Sequence, residues 1–240
     1  MPRTNEYGQT IGDAVPGWTI RAEPQKVTLI GRTCRLEPLE AKHTNDLYAS
    51  YSQSNDGRDF TYLAIEAFKN IEELRNYVEK TVKEPGRFSF AIIHASGKAV
   101  GMISLLRADR VNGSVEVGRV VFSPLLKQSI ASTEAQYLLM AYVFDGLGYR
   151  RYEWKCDTFH AQSRRAAERL GFTFEGIFRK VIVVKGRNRD SAWFSIIDSD
   201  WPKIKEAFQK WLAPENFDAE GRQIKRLQNI QKNIENIVFT

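Results

Sequence analysis

Three observations in the sequence predict a mixed α/β fold around a central, largely antiparallel sheet. Three β-rich runs, 88–94, 99–107 and 115–122, follow one another through Ser96-Gly97-Lys98 and Val111-Asn112-Gly113, both good hairpin turns. Helical stretches at 40–51, 71–82 and 131–147 are interleaved with strand-like runs rather than segregated from them. Finally, 42% of the 240 residues are hydrophobic and 12% aromatic, which supports a sizeable core and argues against global disorder.

The elements follow in order. Residues 1–25 read as an arm of Gly, Pro and polar residues with Trp18 as an anchor. Strands are expected at 27–30 and 34–39, then the helix 40–51 and a polar loop from Ser52 rich in turn formers. The helix 71–82 places Ile71, Leu74, Tyr77 and Val78 on one face. After the three β runs, Ser123-Pro124 stops the strand. The helix 131–147 carries Ala135, Leu138, Leu139, Tyr142 and Val143 at core spacing and closes at Gly146 and Gly148. A strand at 152–156, a short helix ending at Leu170-Gly171, strands near 173–184 and 190–197 and an amphipathic helix at 201–211 complete the core. A last, mostly polar helix is expected within 219–237. The organisation is therefore an arm (1–25), one core domain (26–212) and a C-terminal helical extension (213–240).

Composition narrows the function classes. No apolar run approaches the roughly 18 residues needed to span a membrane, and the first residues lack the apolar stretch of a signal peptide. Two cysteines, Cys34 and Cys156, are too few for a disulfide scaffold or a four-cysteine zinc site, and only three histidines occur, His43, His94 and His160. The sequence reads as a soluble cytoplasmic protein without a metal. Its net charge of +6 is concentrated: between Arg150 and Asp190 eleven lysines and arginines face five acids, a surplus of six. Such a window suggests an anionic partner or a solvated positive face.

The stretch Cys156-Asp157-Thr158-Phe159-His160 leads into the helix Ser163-Arg164-Arg165-Ala166-Ala167-Glu168-Arg169-Leu170-Gly171-Phe172. There Ser163, Ala166, Ala167 and Leu170 form one stripe, so a hydroxyl opens an apolar face. A serine here also suits capping or bonding back to its own helix. Upstream, Pro124-Leu125-Leu126-Lys127-Gln128-Ser129-Ile130-Ala131-Ser132-Thr133 places a lysine and hydroxyls at a helix start, where free N–H groups bind anions and serines also serve as caps.

Together, the strand, basic loop, helix and "SRRAAERLGFTFEG", with "GRNRDSAWFSI" at 186–196, resemble the GNAT superfamily of acyl-CoA N-acyltransferases over roughly 27–212. Within it the likeness is to the RimJ/RimL-like, ribosomal-protein N-terminal acetyltransferase type. The resemblance implies a GNAT-type fold and acetyl-CoA as co-substrate. It assigns backbone groups of Val120, Val121 and Phe122 to the pantetheine arm. Residues Lys127, Gln128, Ser129, Ile130, Ala131, Ser132 and Thr133 would surround the pyrophosphate. Ser163 falls near the thioester sulfur, and one of Arg164, Arg165 and Arg169 could meet the 3′-phosphate. Two departures stand out. Ile130 occupies a position where the family's loop usually has glycine, and His160 replaces a usual asparagine.

Transfer to an amine requires its neutral form. At pH 7 about one lysine amine in 2,500 is neutral, against about 10–15% of α-amines, so an α-amine needs much less help. Glu116 is the candidate base and Ser163 the candidate stabiliser of the leaving thiolate. Asp157, Glu175 and Asp190 are expected to partner local arginines, and Glu168 to pair with Arg164 and Arg165. The leading expectation is direct acetyl transfer to a primary amine, a protein N-terminus or a small amine, in a ternary complex by a monomer or homodimer. The alternatives are a non-catalytic GNAT-like domain, favoured by the two departures, and a nucleic-acid binder. Against the latter, the arginines lack the Gly-and-aromatic pattern of RNA-binding strands and no helix reads as a DNA-recognition module.

Overall fold

A computed structural model describes residues 3–54 and 56–238. The outermost residues of the expected arm and extension, 1–2 and 239–240, and Asn55 of the polar loop lie outside the described residues. A small hairpin, β1 (Arg3–Thr4) with β2 (Thr10–Ile11), stands apart from the main sheet. The main sheet is built from β3 (Leu29–Ile30), β4 (Cys34–Pro38), β5 (Phe88–His94), β6 (Ala99–Asp109), β7 (Ser114–Phe122), β8 (Arg151–Asp157), β9 (Thr173–Val184) and β10 (Arg187–Ile197). Its order is β3-β4-β5-β6-β7-β8-β10-β9. Every neighbouring pair is antiparallel except β7 and β8, so the predicted mixed, largely antiparallel sheet is what forms.

Alternation along the strands sorts side chains onto two helical layers. Ala91, Ile93, Met102 and Val121 face α1 (Thr44–Tyr51) and α2 (Ile71–Val82), where Leu47, Tyr51, Leu74 and Val78 are buried. Phe90, Ile92, Ile103, Val115, Val117, Tyr152, Phe194 and Ile196 face α3 (Ile130–Ala141) and α5 (Trp201–Leu212). The short α4 (Ala161–Arg169) packs on β8 and β9. α6 (Leu227–Val238) folds back on α5 through Leu227, Ile230 and Ile234.

Several expected boundaries move. The helix read as 131–147 ends at Ala141 and continues as a wider π-type turn, Tyr142–Gly146, in which the Leu147 N–H reaches the Tyr142 carbonyl five residues back at 3.0 Å. The 40–51 helix begins as a 3-10 turn at Ala41–His43. The last helix starts at 227 rather than 219. The preceding turn is tied instead by Asn216, whose amide donates to the carbonyls of Trp211 and Lys225 at 3.0 and 3.1 Å. Hairpin β9–β10 begins at Arg187, before the expected 190, because Asp190 repairs a bulge by accepting the Lys180 N–H at 2.7 Å.

Trp18 anchors the arm. Its indole N–H donates to the Val111 carbonyl at 2.8 Å, on the expected β6–β7 turn, and Arg21 lies over its ring. Gly113 permits this: its φ is +65°, and a Cβ there would sit 2.5 Å from the Trp18 ring. Gly113→Ala is expected to cost about 1–2 kcal/mol from the left-handed backbone alone, a fall in Tm of about 3–8 °C. Arm residues should also become more susceptible to proteolysis. An unchanged Tm with an equally protected arm would show that the turn tolerates a side chain.

Candidate functional site

The sheet opens between its two parallel strands. Pairing of β7 with β8 runs from Ser114↔Arg151 to Val117↔Trp154 and stops. Beyond that point β7 follows β6, through Gly118↔Ser104, Val121↔Met102 and Phe122↔Gly101. β8 follows β10, through Lys155↔Trp193 and Ser191↔Asp157. Two strand edges therefore face each other without a shared ladder, and main-chain polar groups there need other partners. A register shift in the β6–β7 pairing coincides with Arg119 at φ +51°. The added residue turns Val121 toward α1, whose Tyr51 hydroxyl donates to the Val121 carbonyl at 3.2 Å. Val120 and Phe122 pack on the opposite face.

One lip of this split is the end of β7. Ser123 is fully buried, and its hydroxyl has no hydrogen-bond partner among the described residues. The Ser123 carbonyl accepts the N–H groups of Leu126 and Lys127 at 3.0 and 3.1 Å. Gln128 takes the left-handed conformation, φ +58°. Ser129 caps α3, accepting the Ser132 N–H at 3.1 Å and donating to the Leu126 carbonyl at 2.7 Å. The Ser132 hydroxyl donates to the Ser129 carbonyl at 2.7 Å. Ile130, where glycine was expected, is the first helical residue and packs on the core, so no left-handed backbone is forced on it. Ala131 is buried, and Thr133 accepts from Arg169 at 3.0 Å. The ammonium of Lys127 pairs with Asp59.

The other lip is the end of β8 and the start of α4. The His160 ring stacks on Tyr62 with centroids 4.7 Å apart. Burial holds its pKa below the usual histidine value, with Arg189 and Lys127 acting in the same direction and Asp157 opposing. Ser163 accepts a hydrogen bond from the Trp154 indole N–H at 3.0 Å. Its contact with Cys156 partly offsets the burial that pushes that thiol up. The stripe Ser163, Ala166, Ala167, Leu170 does face inward, with Ala167 and Leu170 fully buried. No local pattern signals that a tryptophan holds this hydroxyl.

On the face toward α1 and α2, the last paired residues carry charge. Glu116 accepts from Arg107 Nε at 2.7 Å and pairs with Lys155 at 2.9 Å. Lys155 also reaches Glu153 at 2.9 Å and lies 3.4 Å over the Trp193 ring. Arg151 bridges Glu153 and Glu175. Burial would raise the Glu153 carboxyl, but hydrogen bonds from Arg151 and Lys155 hold it below its usual value. Glu116 is thus neither an exposed edge carboxylate nor a free one, but the centre of a buried ion cluster at the vertex of the split. A charged stripe at 151, 153 and 155 alternating with Tyr152, Trp154 and Cys156 is the sequence signal that would have revealed this cluster.

Of the other expected pairs, Glu175 meets Arg151 as anticipated. Asp157 and Asp190 instead accept main-chain N–H groups, of Phe159 and Lys180. The pairing expected of Glu168 with Arg164 and Arg165 does not form; Arg164 lies over the Phe174 ring. Cys34 and Cys156 are free and buried. No helix among the described residues is long and apolar enough to cross a membrane.

The orphan Ser123 hydroxyl, two unladdered strand edges and a capped helix start beside a lysine fit a ligand with an amide-bearing chain and an anionic end. Such a split sheet defines a class of acyl-transfer proteins. The acetyltransferase (GNAT) domain family matches residues 34–173. The chain belongs to this family and is an N-acetyltransferase, and acetyl-CoA is the family's donor. A GCN5-related N-acetyltransferase from Brucella melitensis is 49% identical, with a TM-score of 0.89 over 91% of this chain and all of that one. A GNAT-family structure from Chromobacterium violaceum is 32% identical, with a TM-score of 0.74 over 80% of this chain and 96% of that one. YokL of Bacillus subtilis, described as an uncharacterized N-acetyltransferase of the SPbeta prophage, is 30% identical over 128 residues, 53% of this chain and 71% of its own.

Proposed function

We propose that the protein transfers the acetyl group of acetyl-CoA directly to the α-amine of a protein N-terminus, in the manner of the RimJ/RimL-like type. The observation that carries this reading is the opening of the β7–β8 pair after Val117 and Trp154, with Ser163 on one side and the α3 start on the other. The thioester supplies the activated acyl carbon. Backbone groups of Val120, Val121 and Phe122 hold the pantetheine arm. Lys127, the main chain from Gln128 to Ala131 and the hydroxyl of Ser132 receive the pyrophosphate, while Thr133, expected beside them, is buried and bonded to Arg169 instead. His160 lines the mouth, and Ser163 donates its hydrogen bond to the departing thiolate. Glu116, clasped by Arg107 and Lys155, receives the amine's proton through water rather than by contact. This suffices for an α-amine, whose neutral fraction is already about a tenth at pH 7. The resemblance of the 156–202 motifs to that type, and 31% identity over 105 residues to YdaF of B. subtilis, described as a candidate ribosomal N-acetyltransferase, support a polypeptide acceptor. The matched segment covers 57% of that relative.

Thermal unfolding with acetyl-CoA, with ATP as control, tests the donor site. Acetyl-CoA at a hundred times its Kd should add about 2.7 kcal/mol, or about 5–10 °C in Tm, and ATP little. Acetylation of peptides with free or blocked N-termini, read by mass, then tests the acceptor. Modification of lysine side chains on blocked peptides at equal rate would overturn the α-amine reading. Parallel rather than intersecting double-reciprocal plots would overturn direct transfer.

A further inference from the structure

Residues 57–66 cross the mouth of the split and are fastened at both lips. On the β7 side Asp59 pairs with Lys127 and accepts from the Ser54 hydroxyl at 2.9 Å. Three residues on, Tyr62 stacks on His160 at the β8 side. The two carbonyls between them are taken by the β9–β10 turn. Lys185 donates to the Phe60 carbonyl at 2.9 Å and Arg187 to that of Thr61 at 2.7 Å. Lys185 also pairs with Glu66 at 2.9 Å. Beneath, the buried Phe60 ring meets Phe68 edge-on. Short polar loops are normally held by their own turns. This one has such turns, with Asp56 capping a 3-10 turn at Gly57–Phe60, and is held as well by groups from three distant parts of the chain, two of which line the split.

We propose that Asp59 is an internal occupant of the pyrophosphate position, so that 57–66 is a strap which acetyl-CoA unlatches by exchanging its pyrophosphate for the Asp59 carboxylate on Lys127. The proposal rests on the acetyl-CoA reading of the α3 loop given above. The exchange is favourable in sign, because a pyrophosphate carries more negative charge than one carboxylate and can also reach the α3 N–H groups. It is also modest in cost. Both partners of the Asp59–Lys127 pair are part-exposed, 25% and 38%, and such pairs shift an equilibrium by no more than about fivefold. Burial opposes ionisation of Asp59, but hydrogen bonds from Lys127 and Ser54 outweigh it and keep its carboxyl below the usual value. The latch is therefore closed at neutral pH and weakens only in acid. Release at the Asp59 end leaves the Lys185 and Arg187 bonds and the buried Phe60 ring in place, so only the Asp59 end of the strap is freed.

The test is a double-mutant cycle in acetyl-CoA affinity, measured by calorimetry on the full chain. Asp59→Asn should bind about two- to fivefold more tightly than wild type. Lys127→Gln should bind more weakly, and adding Asp59→Asn to it should then change nothing. A second measurement uses wild-type protein alone, in case Asp59→Asn folds poorly. Arg58, fully exposed on the strap, is a tryptic site. Millimolar inorganic pyrophosphate should accelerate cleavage there, and chloride at equal ionic strength should not. Unchanged or weaker affinity of Asp59→Asn, the same gain in both Lys127 backgrounds, or cleavage at Arg58 indifferent to pyrophosphate would overturn the latch while leaving the donor site standing. Failure of both wild type and Asp59→Asn to bind acetyl-CoA at millimolar concentration would overturn the latch together with the reading beneath it.

Discussion

Replacement of Lys155 by methionine is expected to lower stability by about 3 kcal/mol at pH 7, or about 6–12 °C in Tm. The methionine fills the space of the lysine stem, so packing is largely kept, although the ammonium's contact with the Trp193 ring is lost with it. What is lost is the one ammonium shared by Glu116 and Glu153, which stand opposite each other in the parallel register and are nearly inaccessible to solvent. Arg107 and Arg151 still touch one carboxylate each, which places the effect at the low end of the range for broken buried pairs. The pH dependence gives the sharper signature. In the wild type the Glu153 carboxyl is held below its usual value. Its contribution is therefore present above the unfolded-state pKa of about 4.3 and is lost as pH falls through the folded value. In the variant, protonation relieves the repulsion between the two glutamates, so acid costs less. The two stability curves should approach each other between pH 7 and pH 4. Lys155→Arg, which keeps the charge, should lose less than Lys155→Met. A Lys155→Met protein within 1 kcal/mol of wild type at pH 7, or equally destabilised at both pH values, would mean that the cluster does not behave as an ionic unit.

Ser163→Ala is expected to lower kcat about ten- to a hundredfold while changing the acetyl-CoA Kd less than threefold. In the proposed role the hydroxyl faces the departing sulfur and acts mainly where negative charge develops, and a single such donor is worth roughly this much or more. The substitution also strips the Trp154 indole N–H of its acceptor, a stability cost of about 1–2 kcal/mol. For that reason the informative readout is the split between kcat and Kd, not activity alone. Ser163→Thr, which restores a hydroxyl, should recover part of the rate. Equal loss in binding and turnover, with no recovery by threonine, would reduce Ser163 to a support for Trp154.

Much of the fold was legible because it is written in local patterns. The hairpin turn at Asn112-Gly113 lies where the left-handed glycine requires it, and the apolar stripe Ala166, Ala167, Leu170 faces the core. The β–loop–helix unit from 115 to 141 also forms as read, with Ser129 as its cap. Errors gathered at element ends, where long-range contacts compete with local preference. The helix at 131–147 read as continuous because its apolar spacing persists past Ala141, while the main-chain bonds there switch to the five-residue reach seen at Leu147.

The candidate site was legible only in part. Lys127, Ser129, Ser132, His160 and Ser163 do lie on the two lips of one opening, since sequence order places them at the ends of successive strands. Asp59, Tyr62 and Trp154 were invisible as site residues, and the charged stripe that contains Lys155 was overlooked. Asp59 and Tyr62 come from a loop roughly 65 to 100 residues away from the groups they touch. No periodicity links such positions.

Local chain chemistry is enough to set the class of fold, the order of its elements and the residues available at the strand ends. These follow from hydrophobic alternation, helical stripes and turn chemistry, all of which act over a few residues. Long-range packing sets the rest: β7 and β8 part after four paired positions, the carboxylate expected as the base is buried between two cations, and a polar loop closes over the opening. Each depends on side chains distant in sequence meeting at low solvent exposure. There the balance between desolvation and pairing is set by the neighbours that arrive, not by the residue itself.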